Sequence, residues 1–131
     1  MLGRQTWQDD RGQRDGEAAD PAPFLTAAGY YRRIMEVYPR DPDVAEMNFM
    51  LGESLLNGGQ PLNAAREYER TAYDYPQHDR SADAGYAAVL AYRSYTDGQP
   101  AAQRAEALNL AIEGSRRFAE GFPNHRERLR V

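Results

Sequence analysis

Cysteine is absent from this chain of 131 residues, and so is lysine. The first absence excludes disulfides, thiolate metal ligands and a cysteine nucleophile. The second excludes a Schiff-base lysine and the lysine of a phosphate-binding loop. All 16 basic side chains are therefore arginines, set against 20 acids for a net charge of −4. No basic stripe stands out, so nucleic acid is not an expected partner. No apolar run approaches the roughly 20 residues of a membrane span, so direct membrane insertion is not expected either. Gly-x-Ser-x-Gly, a glycine-rich phosphate loop and His-Glu-x-x-His are all missing. Catalysis, metal and cofactor therefore have no sequence support.

Histidine is scarce as well. The only two, His78 and His125, each stand two residues after a proline, at Pro76 and Pro123. The same place in two segments points to a turn role, and no ligand spacing surrounds either one. Carboxylate pairs such as Asp9-Asp10, Asp41/Asp43, Glu67/Glu69 and Asp79/Asp83 fall in connections or on outward helix faces, which makes them solvated surface.

What is present is a repeated clause. Ala27, Tyr31 and Pro39 recur as Ala64, Tyr68 and Pro76, a shift of 37 residues. A period between 20 and 50 residues marks stacked supersecondary units, none of which can bury its apolar face alone. The length allows a single domain. Residues 1–23 are polar and end in Asp20-Pro21-Ala22-Pro23, an expected extended or disordered lead-in. Trp7, the only tryptophan, is its one residue with much to gain by docking. Residues 125–131 form a tail, leaving 24–124 as the repeat domain.

Helical periodicity predicts five main helices. The first covers 24–38, with Phe24, Ala27, Ala28, Tyr31, Ile34, Met35 and Tyr38 at three-and-four spacing, and Pro39 and Pro42 end it. The second covers 44–56, with Asp43 as N-cap, Glu46 as its capping partner and Gly58-Gly59 as the stop. The third starts at Pro61 and runs to about 75. The fourth covers 81–95 behind Ser81 as cap, and its alanines allow close approach. The turn Gly98-Gln99-Pro100 repeats Gly59-Gln60-Pro61, and a last helix follows over 101–121. That helix is about two turns longer than the third and is expected to overhang its partner.

The central unit resembles the tetratricopeptide repeat. Leu51-Gly52 match the Leu-Gly of the family's first helix, and Gly59 matches the inter-helix glycine. Ala64, Tyr68 and Pro76 match the small, aromatic and proline positions of the second helix. The physical logic agrees, because Gly52 and Ala64 lack bulk where two helices cross and Tyr68 fills the space beyond. Asn48 and Thr71 depart from the family's aromatic and alanine. Val89 and Ser115 depart from its glycine and aromatic in the third unit. The wording around Tyr-Pro-x-x-Asp is similar to bacterial envelope repeat proteins of the Tol-Pal coordinator and outer-membrane-assembly lipoprotein type. That likeness tilts an otherwise open location toward the periplasm or envelope.

The resemblance implies an all-α solenoid of about two and a half antiparallel hairpins acting as a protein-interaction scaffold or adaptor. Its concave groove would be lined by Glu46, Phe49, Glu53 and Leu56 from one unit and Asp83, Tyr86, Leu90 and Arg93 from the next. Two aromatics flanked by acids would suit a peptide or partner helix with apolar anchors and a basic residue. Packing of hairpin on hairpin explains Phe49 and Tyr86 equally well. A free C-terminal carboxylate would be repelled, since Glu53 stands where carboxylate-gripping relatives carry asparagine. The first unit shows only its second helix, so Tyr30, Tyr31 and Ile34 lack their usual cover. Further repeats upstream, self-association into a homo-oligomer, or the lead-in folding back with Trp7 would each supply it.

Overall fold

A computed structural model of the protein describes residues 20–125. The expectations for Trp7, for residues 1–19 and for 126–131 lie outside the described residues. Within them the chain is all-helical, with five helices and no strand: α1 (Ala22–Val37), α2 (Val44–Asn57), α3 (Pro61–Tyr73), α4 (Ser81–Asp97) and α5 (Ala101–Gly121). Each helix packs chiefly on its neighbours in the chain, α1 on α2, α2 on α3, α3 on α4 and α4 on α5. No described helix is long and apolar enough to cross a membrane.

The ends of the helices follow local chemistry, with some departures. Ala22 and Pro23, expected in the lead-in, belong to α1, because a proline in the first turn gives up an N–H that has no helical partner anyway. α3 stops at Tyr73, two residues short of the expected end, since the residue before Pro76 is driven from the helical region. Asp43 holds the N-cap position of α2 without a side-chain capping bond, and Glu46 turns to Arg80 instead. Ser81 is the first residue of α4 rather than its cap, and its buried hydroxyl accepts the N–H of His78.

The two Gly-Gln-Pro turns differ in conformation. Gly59 has φ 82°, and its N–H reaches the Leu56 carbonyl while the Gln60 N–H reaches that of Leu55. This is a Schellman closure, for which glycine is the low-cost residue. Gly98 sits one place earlier relative to its helix, as the C-cap itself, with φ −85° and its N–H shared between the Ser94 and Tyr95 carbonyls at 3.2 Å each. The same three letters thus end two helices in two ways, because α4 runs one residue further into its turn.

The core is fullest between α2, α3 and α4, around Leu51, Leu55, Ala64, Ala65, Tyr68, Ala84, Ala88 and Ala91. A Cβ on Gly52 would stand 2.8 Å from Cδ1 of Tyr68, so the glycine is the recess that receives that ring. The third hairpin achieves the same fit with other residues. Val89 is buried, and Gly85, one turn earlier, receives Phe118, one turn beyond Ser115; a Cβ there would lie 2.9 Å from the ring. Gly114 on α5 receives Tyr92 in the reverse sense, at 2.7 Å. Nor does the end of α5 hang free. Phe122 packs at 5.9 Å on the Tyr73 ring, and Gly121 lies against the same tyrosine.

Candidate interaction surfaces

The expected groove is closed at its centre by a residue of the chain itself. Arg80, in the connection before α4, directs Nε to one Glu46 oxygen at 2.9 Å and Nη2 to the other at 3.3 Å. Its third nitrogen approaches Asp83 at 3.9 Å. The planar guanidinium lies over the Phe49 ring, 4.7 Å from the centroid. Such a stack combines apolar coverage with attraction to the ring face. Phe49 is left 7% exposed, with its other side 5.6 Å from Tyr68. It is core, and cannot serve as an open anchor for a ligand.

The remaining expected groove residues scatter. Glu53 accepts the hydroxyl of Tyr68. Burial first, and that carboxylate second, push the Tyr68 hydroxyl well above the usual phenol range. Leu56 packs half-buried on the core. Tyr86 is half-buried against Phe118, 5.8 Å away. Leu90 is exposed on α4, and one turn on Arg93 borders a shallow groove of about 270 Å³ with Leu108, Ala111, Ile112 and Ser115. The structure therefore joins Glu46, Phe49 and Asp83 around Arg80, leaves Leu90 exposed on α4, and sets Arg93 beside α5.

The two departures noted at Asn48 and Thr71 prove to be partners. Both are fully buried. Asn48 donates from Nδ2 to the Glu67 carbonyl at 2.7 Å and to Thr71 Oγ1 at 2.8 Å. Thr71 in turn donates to the Glu67 carbonyl at 2.9 Å. Asn48 Oδ1 has no partner among the described residues. His78 continues the network: Nδ1 accepts the Arg80 N–H, so Nε2 carries the proton and donates to the Thr71 carbonyl at 3.0 Å. That bond satisfies a last-turn carbonyl of α3, the turn role expected for His78. His125 places its ring edge-on to Phe118 at 5.3 Å.

On the opposite side, Glu69 accepts the Tyr92 hydroxyl at 2.8 Å and lies 3.6 Å from Arg117, which stacks 4.1 Å over Tyr73. Burial, then Glu69, raise the Tyr73 hydroxyl to about 12. Among the described residues no three acidic or histidine side chains gather as a metal site would require.

Large exposed apolar side chains occur in two places only among the described residues. One is the outer face of α1, with Tyr30 68% and Ile34 39% exposed beside Val37 and Tyr38. The other is on α4 and α5, with Leu90 on α4 and Leu108 and Ile112 on α5. Sequence reasoning located the first through Tyr30 and Ile34. It placed the other exposed end at the last helix without naming Leu108 and Ile112, whose four-residue spacing was the available signal. Arg80 was missed because a loop arginine carries no periodicity.

No family model matches this sequence, and no curated protein or solved structure matches it either.

Proposed function

We propose that this protein is a non-catalytic protein-interaction module of the tetratricopeptide type, and that it binds through the two ends of its helix stack. The observation that carries this reading is the confinement of large exposed apolar residues to α1 and to α4 and α5, while α2 and α3 expose none. Apolar patches of this kind mark contact surfaces. The alternation of second-type and first-type helices gives the α1 end the form of an unfinished repeat among the described residues, while α5 completes the last hairpin and leaves its outer face uncovered. The Arg80–Glu46 pair over Phe49 speaks against peptide capture in the inner groove. Self-association and binding of other proteins are both served by such ends.

The reading is tested with two double variants, Tyr30→Ala/Ile34→Asp at one end and Leu108→Asp/Ile112→Asp at the other. Sedimentation and partner capture are measured for each against Tyr86→Ala on the inner face. Loss of association in at least one end variant, with Tyr86→Ala unchanged, is the expected result. Full association in both end variants refutes end-on binding.

A further inference from the structure

We infer that the exposed face of α1 is a docking site for an amphipathic helix of a partner protein, seated on α1 as α2 is seated on α3. The inference rests on the end-on reading above and deepens it. Its basis is an equivalence within the molecule. The 37-residue shift that relates Tyr31 to Tyr68 also relates Tyr30 to Glu67 and Ile34 to Thr71. In α3 those two positions are covered by α2, whose Asn48 bonds to the Glu67 carbonyl and the Thr71 hydroxyl. In α1 they are the exposed Tyr30 and Ile34.

The other side of α1 keeps the same correspondence. Leu25 fills the space at Gly58, at the end of α2, and its counterpart Leu62 borders Tyr95 and Gly98 at the end of α4. So α1 stands to α2 as α3 stands to α4. What is missing from the described residues is the helix that would stand to α1 as α2 stands to α3.

The exposed side chains state the chemistry of that occupant. Where α3 offers a hydroxyl at Thr71, α1 offers the aliphatic Ile34, so an asparagine in the place of Asn48 would lose a partner and an aliphatic residue would gain one. Where Tyr68 enters the recess at Gly52, Tyr31 calls for a residue without a side chain four positions after that aliphatic. Residues 1–19 show no such spacing, and the helices of that type within the described residues, α2 and α4, are already packed on α1, α3 and α5, so neither supplies the occupant.

The probe is a peptide of residues 43–59 carrying Asn48→Leu, titrated into the full chain and followed by calorimetry. The peptide with Asn48 retained and the chain variants Ile34→Asp and Tyr30→Ala serve as comparisons, with folding checked by circular dichroism. The expected result is saturable binding of the leucine peptide, at least about tenfold weaker for the asparagine peptide and for Ile34→Asp, a difference of about 1.4 kcal/mol. Should Ile34→Asp fail to fold, the more exposed Tyr30→Ala carries the comparison. Absence of binding, equal binding of the two peptides, or binding that survives in both chain variants overturns the inference. So does binding that appears only after residues 1–19 are removed, which makes the chain's own segment the occupant. Self-association abolished by Ile34→Asp overturns it in favour of a second copy. Failure of the peptide while the end variants still lose association removes this occupant and leaves the end-on function standing.

Discussion

The hairpin of α2 and α3 and the hairpin of α4 and α5 cross by the same means with different residues. In the first, one ring enters one recess: Tyr68 from α3 into Gly52 of α2. In the second, rings travel both ways, Phe118 from α5 into Gly85 and Tyr92 from α4 into Gly114. Val89 and Ser115, which break the repeat pattern at the matching positions, are compensated by a glycine one turn before and an aromatic one turn after. The quantity held constant between hairpins is therefore a paired volume, a ring against a missing side chain, and not a residue at a numbered position. Close packing demands that relation, because a void or an overlap of one methyl group is felt throughout a dense interior.

Truncating the rings tests that comparison most severely. Tyr68→Ala and Phe118→Ala should each cost about 3–5 kcal/mol, the range for removing a large buried ring. Urea denaturation followed by circular dichroism measures both. A Phe118→Ala cost far below that of Tyr68→Ala would show that the second hairpin is not locked in the same way.

Filling the recess is the milder counterpart. Gly52→Ala should destabilise by about 1–3 kcal/mol despite alanine's better helix propensity, since the Tyr68 ring is buried and tied to Glu53. Gly29→Ala, with nothing within 4 Å of the new methyl group, should instead stabilise by about 0.5–1 kcal/mol. The same denaturation series decides it, and equal effects at the two glycines would remove the packing argument for Gly52.

The polar pair that only the first hairpin carries should give the smallest signal. Asn48→Leu and Thr71→Val together should cost less than the sum of the single variants by about 0.5–1.5 kcal/mol, because the double variant leaves no buried donor stranded. Strict additivity in that cycle would mean that the Asn48–Thr71 bond contributes nothing to the pairing of α2 with α3.

Much of this architecture was legible in advance, for reasons that are local. Pro39, Pro61, Pro76 and Pro100 constrain their own backbone and that of a neighbour, so they announce helix boundaries to within a residue or two. Three-and-four spacing of apolar residues marked the helices, although on α1 it counted Ile34 and Tyr38, which stand exposed. Gly52 was placed at a helix crossing from its position in the repeat, but Tyr68, expected to fill the space beyond that crossing, is the ring that enters its recess. The groove was less legible. The residues expected to line it lie on α2 and α4, but Phe49 lies beneath Arg80, which bonds to Glu46 34 residues away. Nothing within a turn of Arg80 signals that contact. Asn48 and Thr71 each looked like a local departure from pattern, and 23 residues of intervening chain hid their hydrogen bond.

The chain alone determined five helices, their stops and the 37-residue rhythm, because propensity, proline geometry and amphipathic spacing act over a few residues. Tertiary structure alone decided which ring enters which glycine, how two identical Gly-Gln-Pro turns close differently, and that Arg80 stacks over Phe49. Those outcomes depend on volumes and charges contributed by segments far apart in sequence, whose fit is tested only when the helices meet.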